Sequence, residues 1–123
     1  MFGAAKAQTS FSHTASNPTG AVVNTGVDTM DVAFPSWNIA VGIQPVLTKV
    51  GGTITAVKSY LYGSIDGTNF SPTIIDSMTS SNQAKNTTVI KLLTPVYRKY
   101  RIITTGIGTM SATTSATITG LKN

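Results

Sequence analysis

The fold class follows from residues 39–69, IAVGIQPVLTKVGGTITAVKSYLYGSIDGTN. In the first run, Ile39, Val41 and Ile43 alternate with small residues, as on a strand that buries one face. Two adjacent glycines then form a turn, and a second run continues to about Ile65. β-branched residues are frequent in both runs, and they favour strands over helices. The stretch therefore predicts two long β-strands.

The first run contains a proline. The alternation changes phase at Pro45, so that Val46, Thr48 and Val50 follow on the opposite face. Proline cannot donate a hydrogen bond to a strand ladder. We therefore expect a bulge or an edge position at this point.

The second run, from Thr53 to about Ile65, is the longest predicted strand. One face carries Thr55, Val57, Ser59, Leu61 and Ile65, and the other includes Tyr60 and Tyr62. Asp66-Gly67-Thr68-Asn69 then predicts a tight hairpin, because Asp-Gly tolerates the positive φ that such turns need. A returning strand is expected over Phe70 to Met78, interrupted at a proline.

The same punctuated pattern continues along the chain, and no window has convincing helical periodicity. About seven to nine short strands predict an all-β fold, a two-sheet antiparallel β-sandwich of immunoglobulin-like or jelly-roll-like type. Residues 21–123 form this single domain. Residues 1–20 predict an N-terminal arm that ends in the Asn-Pro-Thr-Gly turn signal. The uncharged strand from Ser111 to Thr119 should be covered by its own sheet or by a neighbouring subunit.

The amino-acid composition argues against an enzyme or a metal-binding protein. The 123 residues include 21 Thr and 12 Ser but no Cys and no Glu, and charged residues make up only 11%. Thiol catalysis, disulfides and thiolate metal sites are excluded. The single histidine, His13, lies in the arm, and the four aspartates show no paired or metal-binding spacing. We expect no enzyme activity, no metal and no cofactor, and no apolar run is long enough to suggest a membrane span.

The net charge of +5 is compatible with nucleic acid, an anionic membrane surface or an acidic protein as partner. Because the cations are spread along the chain, we favour the simpler explanation that they keep a charge-poor β-protein soluble. The one tight group is Tyr97-Arg98-Lys99-Tyr100-Arg101, which interleaves aromatic and basic residues as single-strand-binding surfaces do. On a strand, Tyr97, Lys99 and Arg101 would face one way and the other two residues the opposite way. An ordinary strand explains this as well, so a small coat or nucleic-acid-binding protein, using Lys91 with these cations, is a less favoured alternative.

Three aromatic residues raise a second alternative. Trp37, Tyr60 and Tyr62 could form a carbohydrate-binding platform, because aromatic rings stack on sugar faces. The competing explanation is that the two tyrosines pack across a sheet and that Trp37 closes the end of the sandwich.

Three stretches together carry a resemblance: VLTKVGGT at 46–53, YGSIDGTNF at 62–70, and VYRKYRI at 96–102 followed by GIGT at 106–109. This layout resembles small β-sandwich virion accessory proteins of tailed bacteriophages, such as capsid decoration, head-fibre or tail components. The resemblance covers roughly residues 39–119. It carries no catalytic residues over, and the chain is too short for the usual tailed-phage shell fold.

The resemblance implies a non-catalytic structural protein of a virion, assembled in the cytoplasm of a bacterial host. Its partners would be the major capsid protein or other virion proteins, with the chain present as a homo-oligomer or as lattice-bound copies. Our contact candidates are Phe2 and Phe11 of the arm, together with Tyr97, Arg98, Lys99 and Arg101.

Overall fold

The computed structural model describes residues 8–11, 22–33, 38–92 and 97–122. These residues form ten strands in two antiparallel sheets, so the predicted all-β sandwich is confirmed with more strands than expected. The strands are β1 (Gln8–Phe11), β2 (Val22–Val23), β3 (Val27–Ala33), β4 (Asn38–Gly51), β5 (Val57–Ser64), β6 (Asp76–Ser80), β7 (Lys85–Thr87), β8 (Ile90–Leu92), β9 (Lys99–Thr105) and β10 (Ser111–Lys122).

The strand pairing follows one long hairpin rolled into two sheets. β5 pairs with β6, β4 with β7 and β8, β3 with β9, and β2 with β10. Two further pairings, β4 with β10 and β5 with β9, close the roll. The first sheet therefore has β1 and β2 on one edge, then β10, β4, and β7 with β8; the second has the order β3-β9-β5-β6. This nested order is that of a jelly roll, which decides between the two sandwich types.

Two apolar clusters fill the space between the sheets. Both draw on both sheets, so each cluster ties the two layers together by burial of apolar surface. The first contains Met30, Val32, Ile43, Leu61, Ile90, Tyr100, Ile102, Ala116 and Ile118. The second contains Val22, Leu47, Ile54, Val57, Met78, Met110 and Ala112.

A buried polar row separates the two clusters. Asp28 pairs with Thr104 and Thr104 with Ser59 in the strand register, and the two hydroxyls of Ser59 and Thr104 are 2.7 Å apart. From the facing sheet, the Thr114 hydroxyl donates a hydrogen bond to Asp28 Oδ2. Asp28 is only 2% exposed, and within the described part of the chain its Oδ1 has no hydrogen-bond partner. Thr114 therefore supports a buried carboxylate, which is costly to leave unpaired.

The predicted bulge or edge at Pro45 is wrong. β4 runs through this position without a register shift, and Ile43, Pro45 and Leu47 all face inward. The strand opposite is interrupted instead, since β7 ends at Thr87 and β8 begins at Ile90. Thr88 N donates to Pro45 O across this gap. Because the N–H and C=O of one strand residue point to the same side, the donor that proline lacks would have pointed into the gap.

The second predicted strand is shorter than expected, and the connection that follows it is longer than a tight hairpin. Val57, Ser59 and Leu61 share one face as predicted, and that face is buried, whereas Ile65 lies beyond the strand and is exposed. β5 begins only at Val57, since Ala56 has a left-handed φ of 49°. Residues 65–75 form a loop in place of a tight hairpin with a strand from Phe70, and β6 begins at Asp76.

The two ends of the chain meet in the first sheet. Part of the segment expected to be an arm forms β1, in which Phe11 pairs with Ile118 of β10 in the same chain. Residues 1–7 and 12–21 lie outside the described part of the chain. β10 pairs with β4 along its length, and on its other side with β2 at Ser111 and Ala112 and with β1 from Ile118 to Leu121. At these positions the uncharged strand is covered by its own sheet, as predicted.

Thr114→Val should destabilise the protein, because the buried Asp28 carboxylate loses the donor that the structure gives it. We expect a loss of about 1–3 kcal/mol in the free energy of unfolding, measured by denaturant titration. Thr113→Val is the matched control on the outward-facing side of β10, and it should change stability by about 0.5 kcal/mol or less. Equal effects of the two valine variants would contradict this role for Thr114.

Candidate functional site

The loop at residues 65–75 and the segment that leads into β9 lie side by side at one end of the sandwich. Arg98 N donates to Ser64 O at 2.8 Å, and Lys99 pairs with Ser64 in the strand register. The fold therefore brings together the Ser-Ile-Asp-Gly loop and the Tyr/Arg segment, which are more than 25 positions apart in the sequence.

Asp66 organises this loop. Its Oδ1 accepts hydrogen bonds from Ser64 Oγ (2.9 Å), Thr68 N (2.8 Å) and Asn69 N (2.7 Å), and its Oδ2 accepts one from Asn69 Nδ2 (2.8 Å). The backbone and side-chain bonds from Asn69, followed by those from Thr68 and Ser64, hold the pKa of the Asp66 carboxyl well below its ordinary value. Gly67 adopts the positive φ that the Asp-Gly pair predicted, at 82°.

Tyr97 packs against the backbone of β5. A methyl group placed on Gly63 would lie 2.4 Å from a ring carbon of Tyr97, so only glycine leaves room for this ring. The ring also meets that of Tyr100 edge to face, with centroids 5.7 Å apart. Tyr100 is fully buried, and burial raises its pKa to about 12. Tyr97 precedes the first residue of β9 and packs against the first apolar cluster, so the prediction that it shares one strand face with Lys99 and Arg101 is wrong.

Arg101 makes two specific contacts. Its Nε and one terminal nitrogen donate to the two oxygens of Asp31 at 2.7 and 3.0 Å, and its guanidinium carbon lies 3.9 Å from the centroid of the Phe70 ring. The hydrogen bonds to Asp31 raise the pKa of Arg101 above its ordinary value. The Arg101 guanidinium is therefore bound by other residues of the same chain. The Arg98 side chain, in contrast, is exposed and lies close to Gly67.

The other predicted site residues are more dispersed. Tyr60 and Tyr62 are half-buried on the outer face of the second sheet, where they pair with Ile103 and Arg101 of β9. Phe2 and Trp37 lie outside the described residues, and so do the side chains of Phe11 and Lys91. The structure thus tests no platform that includes Trp37.

Phe70 is the functional candidate that the sequence reasoning missed. Together with Tyr97 it lines a cleft of about 510 Å³ beside the loop, which is also lined by Ile65, Asp66, Asn69 and Ser71. The signal that could have found it is the aromatic residue directly after the Asp-Gly-Thr-Asn turn. Among the described residues, no three His, Cys, Asp or Glu side chains are grouped to hold a metal ion. No helix in that part of the chain is long and apolar enough to cross a membrane.

Asp66→Ala should loosen the loop, because four hydrogen bonds lose their acceptor. Amides of residues 65–71 should exchange faster with deuterium, while β5 amides keep their protection. Asp76→Ala is the matched control and should leave the loop unchanged, since the hydrogen bond that the described residues give to the Asp76 side chain comes from the neighbouring Ser77 N.

Acid should act through the same carboxyl. Because the pKa of Asp66 is lowered in the folded chain, its contribution to stability is complete above the ordinary pKa of aspartate and is lost as the pH falls through the folded pKa. NMR signals of Thr68 and Asn69 should therefore stay unchanged through the ordinary range of aspartate titration. A shift of these signals within that range would contradict the assignment.

No protein-family model matches the chain, and no curated protein sequence matches it. Solved structures share its fold. A Bacillus endospore appendage protein, from a family of disulfide-linked pili, is 11% identical with a TM-score of 0.52, over 100% of this chain and 97% of that one. A CBM4 carbohydrate-binding module is 12% identical with a TM-score of 0.50, over 80% of this chain and 64% of that one. The chain is thus a small β-sandwich protein with the fold of pilus and carbohydrate-binding proteins.

Proposed function

We propose that the chain is a non-catalytic structural protein of a bacteriophage virion, an accessory protein that decorates the capsid lattice. The observation that carries the proposal is the juxtaposition at one end of the sandwich. One continuous surface is formed by residues 64–70 and residues 97–101. These residues belong to two of the three stretches that carry the resemblance to phage accessory proteins.

That surface is shaped before any partner binds. Asp66 fixes the loop, Tyr97 packs on Gly63, and Arg101 is held between Asp31 and Phe70. A surface that loses little conformational freedom on binding suits repeated docking to a lattice. In this arrangement Tyr97 and Arg101 maintain the shape, while Arg98 and Lys99 supply the charge that a partner meets.

The fold is compatible with assembly from many copies. The Bacillus appendages that share it are pili linked by disulfides. This sequence contains no cysteine, so its contacts with other subunits would not be linked by disulfides. A net charge of +5 favours docking on an acidic shell, where charges at the rim of an interface raise the rate of association.

The nucleic-acid alternative is weakened by one contact. Arg101 was one of the four cations in that hypothesis, and its guanidinium is taken up by Asp31 and Phe70. A phosphate-binding surface would have to rely on the remaining lysines and Arg98.

The test is co-sedimentation of the purified chain with shells of the major capsid protein encoded in the same genome. The chain alone should have the mass of a monomer or small oligomer by light scattering, and it should sediment with the shells. The double variant Arg98→Glu and Lys99→Glu should bind fewer copies, most clearly at low ionic strength. The double variant Lys58→Glu and Lys85→Glu is the matched control, because it changes the net charge equally and both exposed cations lie away from this surface, opposite Thr79 and Thr48.

Two results would overturn the proposal. Absence of the chain from shells at every ionic strength would remove the decoration role. A megadalton particle formed by the chain alone would make it the shell itself.

A further inference from the structure

We propose that the cleft between Phe70 and Tyr97 binds a neutral sugar ring. This site is separate from the platform of Trp37, Tyr60 and Tyr62 considered from the sequence, and it does not depend on capsid binding. Its volume of about 510 Å³ lies within the range of about 300–1,000 Å³ typical of small-molecule sites.

Contacts within the protein hold the aromatic walls of the cleft in place. The Phe70 ring has the Arg101 guanidinium 3.9 Å from its centroid, and that guanidinium is fixed by two hydrogen bonds to Asp31. The Tyr97 ring is fixed by its contact with Gly63 and by its edge-to-face packing on Tyr100. Rings that are already ordered can stack on the apolar C–H face of a sugar with little loss of conformational freedom.

The polar groups of the cleft suit hydroxyl groups. Asp66 Oδ1 already accepts three hydrogen bonds within the loop, whereas Oδ2 accepts one and is the carboxylate oxygen left to accept from a ligand. Asn69 gives one amide hydrogen to Asp66, and within the described residues its second amide hydrogen and its Oδ1 have no partner. A carboxylate beside an amide offers acceptors and a donor to neighbouring sugar hydroxyls.

The charge of the cleft selects a neutral ligand. Asp66 is the charged residue among those that line it, and no lysine or arginine from the described part of the chain joins that lining. Arg101 lies on the Phe70 ring and Arg98 beside Gly67, both outside that lining, so Asp66 is the charged group that a ligand in the cleft would contact directly, and it opposes an acidic sugar or a phosphate. Polyhydroxylated rings with apolar faces and no charge fit these walls best.

Two-dimensional NMR titration of the intact chain tests this inference. The probes are methyl glycosides of glucose, mannose, galactose and N-acetylglucosamine, with methyl glucuronide as the charged comparison. We expect at least one neutral glycoside to shift signals of residues 63–71 and 97 in a saturable way, and the glucuronide to bind more weakly.

Matched variants separate stacking from simple loop structure. Phe70→Leu keeps apolar bulk but removes the ring, and should weaken binding roughly tenfold, the loss expected for one stacking contact. Phe70→Tyr keeps the ring and should retain binding. Ile74→Ala changes an exposed apolar residue of the same loop outside the cleft and should leave affinity unchanged.

Four outcomes would overturn the inference. They are no saturable shift with any neutral glycoside, binding that is indifferent to Phe70→Leu, stronger binding of the glucuronide, and shifts centred on Tyr60 and Tyr62 in place of the loop. None of these outcomes bears on capsid binding, so failure here and failure of the decoration role are distinguishable.

Discussion

The ladder between β4 and β10 is the interaction on which the rest of the molecule depends. It runs from Gly51 opposite Ser111 to Asn38 opposite Lys122, and it makes these two strands the interior pair of the first sheet. Every other strand of that sheet pairs with one of them. Apolar clusters join the second sheet to this one, and the Thr114–Asp28 hydrogen bond crosses between the sheets within the polar row. Without this ladder, the nested hairpins would have nothing to close around.

Local alternation predicted the fold class because burial imposes a period of two on every strand. It placed Val57 and Leu61 on the same strand face correctly, and it predicted the positive φ at Gly67. It failed at Pro45, where the answer lies in a gap between β7 and β8 that no local pattern reveals. It also failed at Ala56, whose left-handed φ delays to Val57 the start of a strand that the sequence pattern begins at Thr53.

The candidate site shows the same division between local and distant information. The charged and aromatic residues at 97–101 were visible in the sequence, but their partners were not. Arg101 is bound by Asp31, which is 70 positions away. Phe70 is a candidate because its ring lies against that guanidinium, a contact that the local sequence pattern does not reveal. The sequence can therefore indicate which residues form a candidate surface. The structure shows which of them stabilise the conformation of that surface and which are accessible to a ligand.

The position of β10 has a consequence for biosynthesis. This strand lies in the interior of its sheet, yet a ribosome would release it after all the other strands. Until β10 is released, β4 lacks its partner on one side, and the backbone hydrogen-bonding groups on that side remain unpaired in the nascent chain. Native pairing must wait for a contact between segments far apart in sequence, which makes folding of such topologies slow and exposes them to wrong partners. The scarcity of charged residues makes this interval more hazardous, because few charges are present to block edge-to-edge association.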